Sequence, residues 1–107
     1  MAQVYYNAKS ISDANIKDVL QRIANHIGSV QVTSGDRNFV PPGGSKTSLH
    51  LAKQAVDFYI VGHDLGSAFR QLFNKSRILF DDSSLYEVIW HGPHTNTGGP
   101  HLHIGRY

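Results

Sequence analysis

Ala55-Val56-Asp57-Phe58-Tyr59-Ile60-Val61 is the stretch whose reading decides the fold. Its β-branched and aromatic residues alternate with period two, which predicts a strand with Val56, Phe58 and Ile60 on one face and Asp57 and Tyr59 on the other. A carboxylate in the middle of so apolar a strand is unfavourable unless it is paired or bound to a metal. Partners are available on both sides. Ser48-Leu49-His50 places an imidazole seven residues before Asp57, and His101-Leu102-His103 puts two more on one face if that segment is a strand. Two imidazoles and a carboxylate with water in the fourth position make a catalytic zinc site. Closed structural zinc sites usually recruit thiolates, and the chain has no cysteine. The spacing alone does not say which of His101 and His103 touches the metal.

At 107 residues the chain reads as a single domain over 1–107, with one modest core. Hydrophobic content of 40% and charged content of 17% are ordinary for a globular protein. The net charge of +2 lacks the clustered Lys and Arg of a dedicated nucleic-acid binder, so no nucleic-acid partner is expected. Met1-Ala2-Gln3-Val4-Tyr5-Tyr6-Asn7 shows no secretory signal, and no apolar run has the length needed for membrane insertion. A monomer is expected.

Ile16, Val19, Leu20, Ile23, Ala24 and Ile27 follow helical spacing, which predicts a helix over 12–27 capped by Ser10 or Ser12 and closed by Gly28. Residues 30–33 alternate as a short strand, and 34–49 read as a long loop with Gly35, Pro41, Pro42, Gly43 and Gly44. Asp64 caps a second helix over 65–74. Strands are predicted over 77–80 and 85–90, then a hairpin loop over 92–99 leading into a last strand over 100–106. Tyr86, Val88 and Trp90 are expected in the core, and His26 and His63 read as structural. The fold class is α+β: a small antiparallel sheet with two or more helices packed on it and a zinc cleft on the sheet.

Ser48-x-His50-x-x-x-x-Ala55-x-Asp57, preceded by Thr33-Ser34-Gly35-Asp36-Arg37 and followed by His101-x-His103, resembles the zinc DD-peptidase family of the Hedgehog/DD-peptidase fold. The three motifs stand in the family's order across roughly residues 12 to 106. The resemblance implies one Zn2+ per chain, held by His50, Asp57 and His103. Arg37 would hold the substrate carboxylate or carbonyl, and His101 would donate a hydrogen bond in the transition state. It also implies peptidoglycan peptides as substrates, cut at a terminal D-Ala or within the stem as in L-Ala-D-Glu endopeptidases. Such an enzyme would be made in the cytoplasm and act in the periplasm or cell wall after lysis or secretion, as a phage endolysin or a secreted effector does. Two positions depart from the pattern. Lys53 replaces a family glycine, and Pro100 stands where many members carry an acidic catalytic residue.

The general base must therefore come from elsewhere. A hairpin centred near Thr95 would put Glu87 across from His103 and Ile89 across from His101, with Glu87 on the face of the ligands. Glu87 is the candidate base, its alternatives being a solvated strand residue or a carboxylate that orients a ligand. Ser48 and His94 are read as substrate contacts, the one supporting the ligand loop and the other at the hairpin tip. The rival function is a non-catalytic zinc-binding structural or adhesion module of the same fold, which Pro100 favours.

Overall fold

The structure, a computed structural model, describes residues 2–36, 54–91 and 100–107, with only the backbone of His91. Its elements run β1 (Val4–Tyr5), α1 (Ala14–His26), β2 (Val30–Ser34), β3 (Ala55–Ile60), α2 (Leu65–Asn74), α3 (Ser76–Leu79), a short 3-10 turn (Ser83–Leu85), β4 (Tyr86–His91) and β5 (His101–Arg106).

The first helix starts later than predicted because its cap is Asp13, whose carboxylate accepts from Asn15 N at 2.9 Å and Ile16 N at 3.1 Å. Ser12, one of the expected caps, instead turns its hydroxyl to Asp36. Asp13 also takes both Nε and Nη2 of Arg106, at 2.8 and 2.7 Å, which ties the start of α1 to the end of β5. At the other end Ile27 N and Gly28 N both donate to Ile23 O. A Cβ on Gly28 would stand 3.2 Å from Ile60 Cγ2, so the helix exit is packed onto β3. The second helix forms over the predicted residues, with Asp64 accepting from Ser67 N at 2.8 Å.

The five strands lie in the order β1-β2-β3-β5-β4, and the β2–β3, β3–β5 and β5–β4 pairs are antiparallel. The sheet is mixed and not antiparallel throughout, because β1 runs parallel to β2. Parallel neighbours need a crossover, and α1 supplies it. β5 enters between β3 and β4, so the last strand in sequence is interior to the sheet.

Val30, Val32, Val56, Phe58, Ile60, Leu102 and Ile104 are buried with Ile16, Val19, Leu20, Ile23, Ala68, Leu72 and Leu79 in one core between the sheet and the helices. Two expectations fail here. Residues 77–80 were predicted as a strand, but Ser76–Leu79 is a turn of helix, with Phe80 N bonded to Ser76 O at 3.0 Å. Leu79 and Phe80 are buried there while Ile78 is 52% exposed, a one-sided burial that a four-residue apolar run does not reveal in advance. Trp90 is not core: it is 48% exposed, lying beside Phe69 with ring centroids 6.1 Å apart at the sheet's rim. Tyr86 is buried and Val88 half-buried against the core, as expected.

Gly35 tests this architecture. A Cβ there would fall 2.2 Å from Ser10 O, because Asp36 N bonds that same carbonyl at 2.8 Å. Gly35→Ala should therefore destabilise the fold by roughly 2–4 kcal/mol in denaturant unfolding. Gly66→Ala, whose Cβ would meet the movable ring of Trp90 at 3.1 Å, should stay within about 1 kcal/mol of wild type. Equal effects of the two substitutions would contradict the packing at Ser10.

Candidate functional site

Two backbone bonds fix how the strands present their side chains. Arg106 N donates to Gln54 O at 2.8 Å, and Tyr107 N donates to Leu85 O at 2.9 Å. Backbone groups of successive strand residues point to opposite neighbours, so His101, His103 and Gly105 bond to β4, while Leu102, Ile104 and Arg106 bond to β3. Asp57 and His103 are partners in register and form a non-hydrogen-bonded pair, the type whose Cα atoms approach to about 4.5 Å. Their side chains are thereby brought into contact on the face away from the helices.

On that face His103 Nδ1 lies 2.9 Å from Asp57 Oδ1, and His103 Nε2 lies 2.6 Å from Glu87 Oε1. His101 Nε2 is 3.5 Å from Asp57 Oδ2, so each oxygen of Asp57 faces an imidazole. Asp57, His101 and His103 are 4%, 8% and 6% exposed, and they are the buried polar or charged residues among those described. No buried side-chain nitrogen or oxygen among the described residues lacks a partner. Burial is the largest single influence on the His103 imidazole and pulls its pKa down. The hydrogen bonds and charges of Asp57 and then Glu87 together outweigh it, so the group titrates above its ordinary 6.5. A ring with a carboxylate at each nitrogen is best satisfied as the imidazolium, which donates to both.

Four of the expected site residues, Asp57, Glu87, His101 and His103, thus meet on one sheet face. The predicted hairpin register is off by two: Glu87 stands across from Gly105, and Ile89 across from His103. A shift of two keeps every side chain on its face, so Glu87 still reaches the site. Arg37, Ser48, His50 and His94 lie outside the described residues, as does Lys53. Ser34, read from the sequence as the start of the long loop, is the last residue of β2. An irregularity after Val32 moves it into register with Asp57, the kind of bulge that re-aims a side chain beside a site. Gly35, directly after it, was the available signal.

Two imidazole nitrogens and a carboxylate are a donor set suited to zinc. Among the described residues, no group of three or more His, Asp or Glu is spaced to hold a metal ion. Asp57 and His103 are bonded directly to each other. Compared with protein-family models, with curated proteins and with solved structures, the chain matches none.

The raised pKa of His103 has a signed consequence for stability. A group whose folded-state value exceeds its unfolded value stabilises fully below the unfolded value, and the contribution is lost as pH rises through the folded one. In chelator-treated protein the unfolding free energy should therefore decline as pH climbs above 6.5. His103→Gln should flatten that decline. A wild-type stability that rises across this window would show that His103 is not the imidazolium of the cluster.

Proposed function

We propose that the chain is a zinc-dependent peptidase acting on the stem or cross-link peptides of peptidoglycan. The observation that carries this reading is the convergence of Asp57, His101 and His103, buried together on one face of the sheet, within motifs that resemble the zinc DD-peptidases. One Zn2+ would be held by His50, Asp57 and His103. When bound, it would supply a water ionising near pH ~7 and polarise the scissile carbonyl.

The protein's own groups do the rest. Glu87, through Oε1, accepts the proton that the attacking water gives up. His101 donates to the charge that grows on the carbonyl oxygen, a contribution confined to the transition state. Arg37 holds the substrate's carboxylate or carbonyl, for which a planar guanidinium is suited. Burial of Asp57, His101 and His103 strengthens the interactions these groups make by lowering the local dielectric. The Hedgehog/DD-peptidase fold belongs to the same reading, as does action in the periplasm or cell wall.

The hydrogen bond from His103 Nε2 to Glu87 Oε1 favours a second reading, since a carboxylate holding a ligand's second nitrogen is an orienting group and not a base. On that reading the chain is a non-catalytic zinc module. Mass spectrometry of purified muropeptides incubated with zinc-loaded protein separates the two. Cleavage, with Glu87→Ala retaining zinc and losing roughly 10²–10⁴-fold in turnover, is expected of the enzyme. Zinc-loaded wild type that leaves every muropeptide intact supports the module.

The two C-terminal histidines should divide by role. His103→Ala should abolish tight zinc binding, because two remaining ligands do not hold a mononuclear site. His101→Ala should keep its zinc and lose kcat with little change in KM. Metal analysis of the pair decides: zinc-free His101→Ala beside zinc-loaded His103→Ala would reverse the assignment.

A further inference from the structure

The sheet face that carries the cluster continues past it toward β1. Register places Tyr5, Gln31 and Tyr59 side by side on β1, β2 and β3. Their strand neighbours Val30, Val32, Phe58 and Ile60 are in the core, so the row stands on the opposite face, with Asp57 and His103. Tyr59 is two residues from Asp57, and one step beyond the Phe58–Leu102 pair it stands across from His101. Tyr5 and Tyr59 are 42% and 44% exposed, with Gln31 half-buried between them.

Gln31 is held in place from the side. Asn7, at φ 54°, donates through Nδ2 to Tyr5 O at 3.2 Å, Gln31 Oε1 at 2.8 Å and Val32 O at 3.1 Å. Asparagine takes this left-handed backbone more readily than most residues because its short amide bonds locally. With its oxygen engaged by Asn7, the Gln31 carboxamide has Nε2 as its donor to a ligand. The row is therefore two exposed phenol rings with an oriented N–H donor between them. Exposed apolar surface gathered in one place and rimmed by polar groups marks a binding surface.

We propose that Tyr5, Gln31 and Tyr59 are the subsite for a sugar ring of the glycan to which the stem peptide is attached; this rests on the peptidase reading above and names the form of substrate it takes. Aromatic rings pack against the apolar C–H face of a pyranose, while its hydroxyl and acetamido oxygens accept from Gln31 Nε2 and the tyrosine hydroxyls. The small and acidic side chains of a stem peptide match two aromatic rings poorly. Two residues of strand put Tyr59 about 7 Å from Asp57. One residue of extended peptide covers about 3.5 Å, so a sugar on Tyr59 stands one or two residues from the carbonyl beside His101. The bond cut is then near the sugar-linked end of the stem, as in L-Ala-D-Glu endopeptidases, and not at a terminal D-Ala.

Two measurements on the full chain test the subsite separately from the peptidase reading. In the first, zinc-free protein is titrated with the peptide-free disaccharide of N-acetylglucosamine and N-acetylmuramic acid, followed by ¹⁵N-resolved NMR. Saturable shifts are expected at the Gln31 side-chain amide and the backbone amides of Tyr5 and Tyr59. Tyr59→Ala should weaken this binding roughly tenfold, the scale of one lost aromatic contact, and Tyr59→Phe, which keeps the ring, should retain most of it. In the second, zinc-loaded protein is given the disaccharide-linked stem and the free stem peptide. The linked form should have a KM lower by roughly tenfold, and Tyr59→Ala should bring the ratio of the two KM values to about one. Disaccharide binding by a protein that cuts no muropeptide would sink the peptidase reading and support the sugar subsite. Absence of saturable shifts at these amides, equal KM for the two substrates, or cleavage at a terminal D-Ala would overturn the subsite without touching that reading.

Discussion

Asp57 is 4% exposed in a strand whose neighbours on either side, Val56 and Phe58, are fully buried, and the open face of the sheet is organised around satisfying that one carboxylate. Removing it from water costs several kcal/mol unless charged or hydrogen-bonding partners are close. The partners come from β5, which lies between β3 and β4 and sets His103 opposite Asp57. Because β5 has a neighbour on each side, its histidine can be held from both. Asp57 holds one ring nitrogen from β3, and Glu87 holds the other from β4. A β5 at the rim of the sheet would have brought one carboxylate and left the other nitrogen to solvent.

The two faces of the sheet separate the functions of stability and chemistry. Val56, Phe58, Leu102 and Ile104 point to the helices and form the core, while Asp57, His101 and His103 alternate with them along the same two strands. Each residue of chemical interest is thus fixed by the apolar residues adjacent to it in sequence. The pattern gives a rigid base for the cluster, since a change of register by one would expose the core and bury the charges' backs. Arg106 extends the same logic beyond the sheet, joining β5 to the cap of α1 through Asp13.

Elements with long, strong periodicity were legible in the sequence: α1 and α2 each show an apolar stripe over ten or more residues, and β3 alternates around Asp57. Short ones were not. β1 is two residues long and depends on Val30 N reaching Gln3 O, a contact no local pattern announces. α3 is four residues whose apolar run fits either period, and its helical form is held by packing and by Arg22 Nη1 reaching Leu79 O at 3.2 Å. The site was legible at the level of faces, since parity along a strand survives an error of two in register. Its distances were not, because they depend on the phase of the ladders and on the irregularity that aligns Ser34 with Asp57. Trp90 was misplaced for a related reason. It sits on the core-facing side of its strand, but β4 is the last strand of the described sheet, and the rim leaves half of it uncovered.

The interior position of β5 also shapes how the chain reaches its native state. Residues 55–60 and 86–91 are neighbours of the same strand and not of each other, so the slot between them stays open until residues 101–106 enter it. β4 and β5 are consecutive, but the β3–β5 pairing is distant in sequence, and such pairings form slowly because chain entropy is lost before the contacts repay it. During synthesis β3 and β4 emerge as two sticky strands ahead of the segment that joins them, and Asp57 emerges ahead of its imidazoles. The pairing that sets His103 against Asp57 is also the one that joins β5 to β3, so the contact that makes the cluster is the contact that closes the sheet.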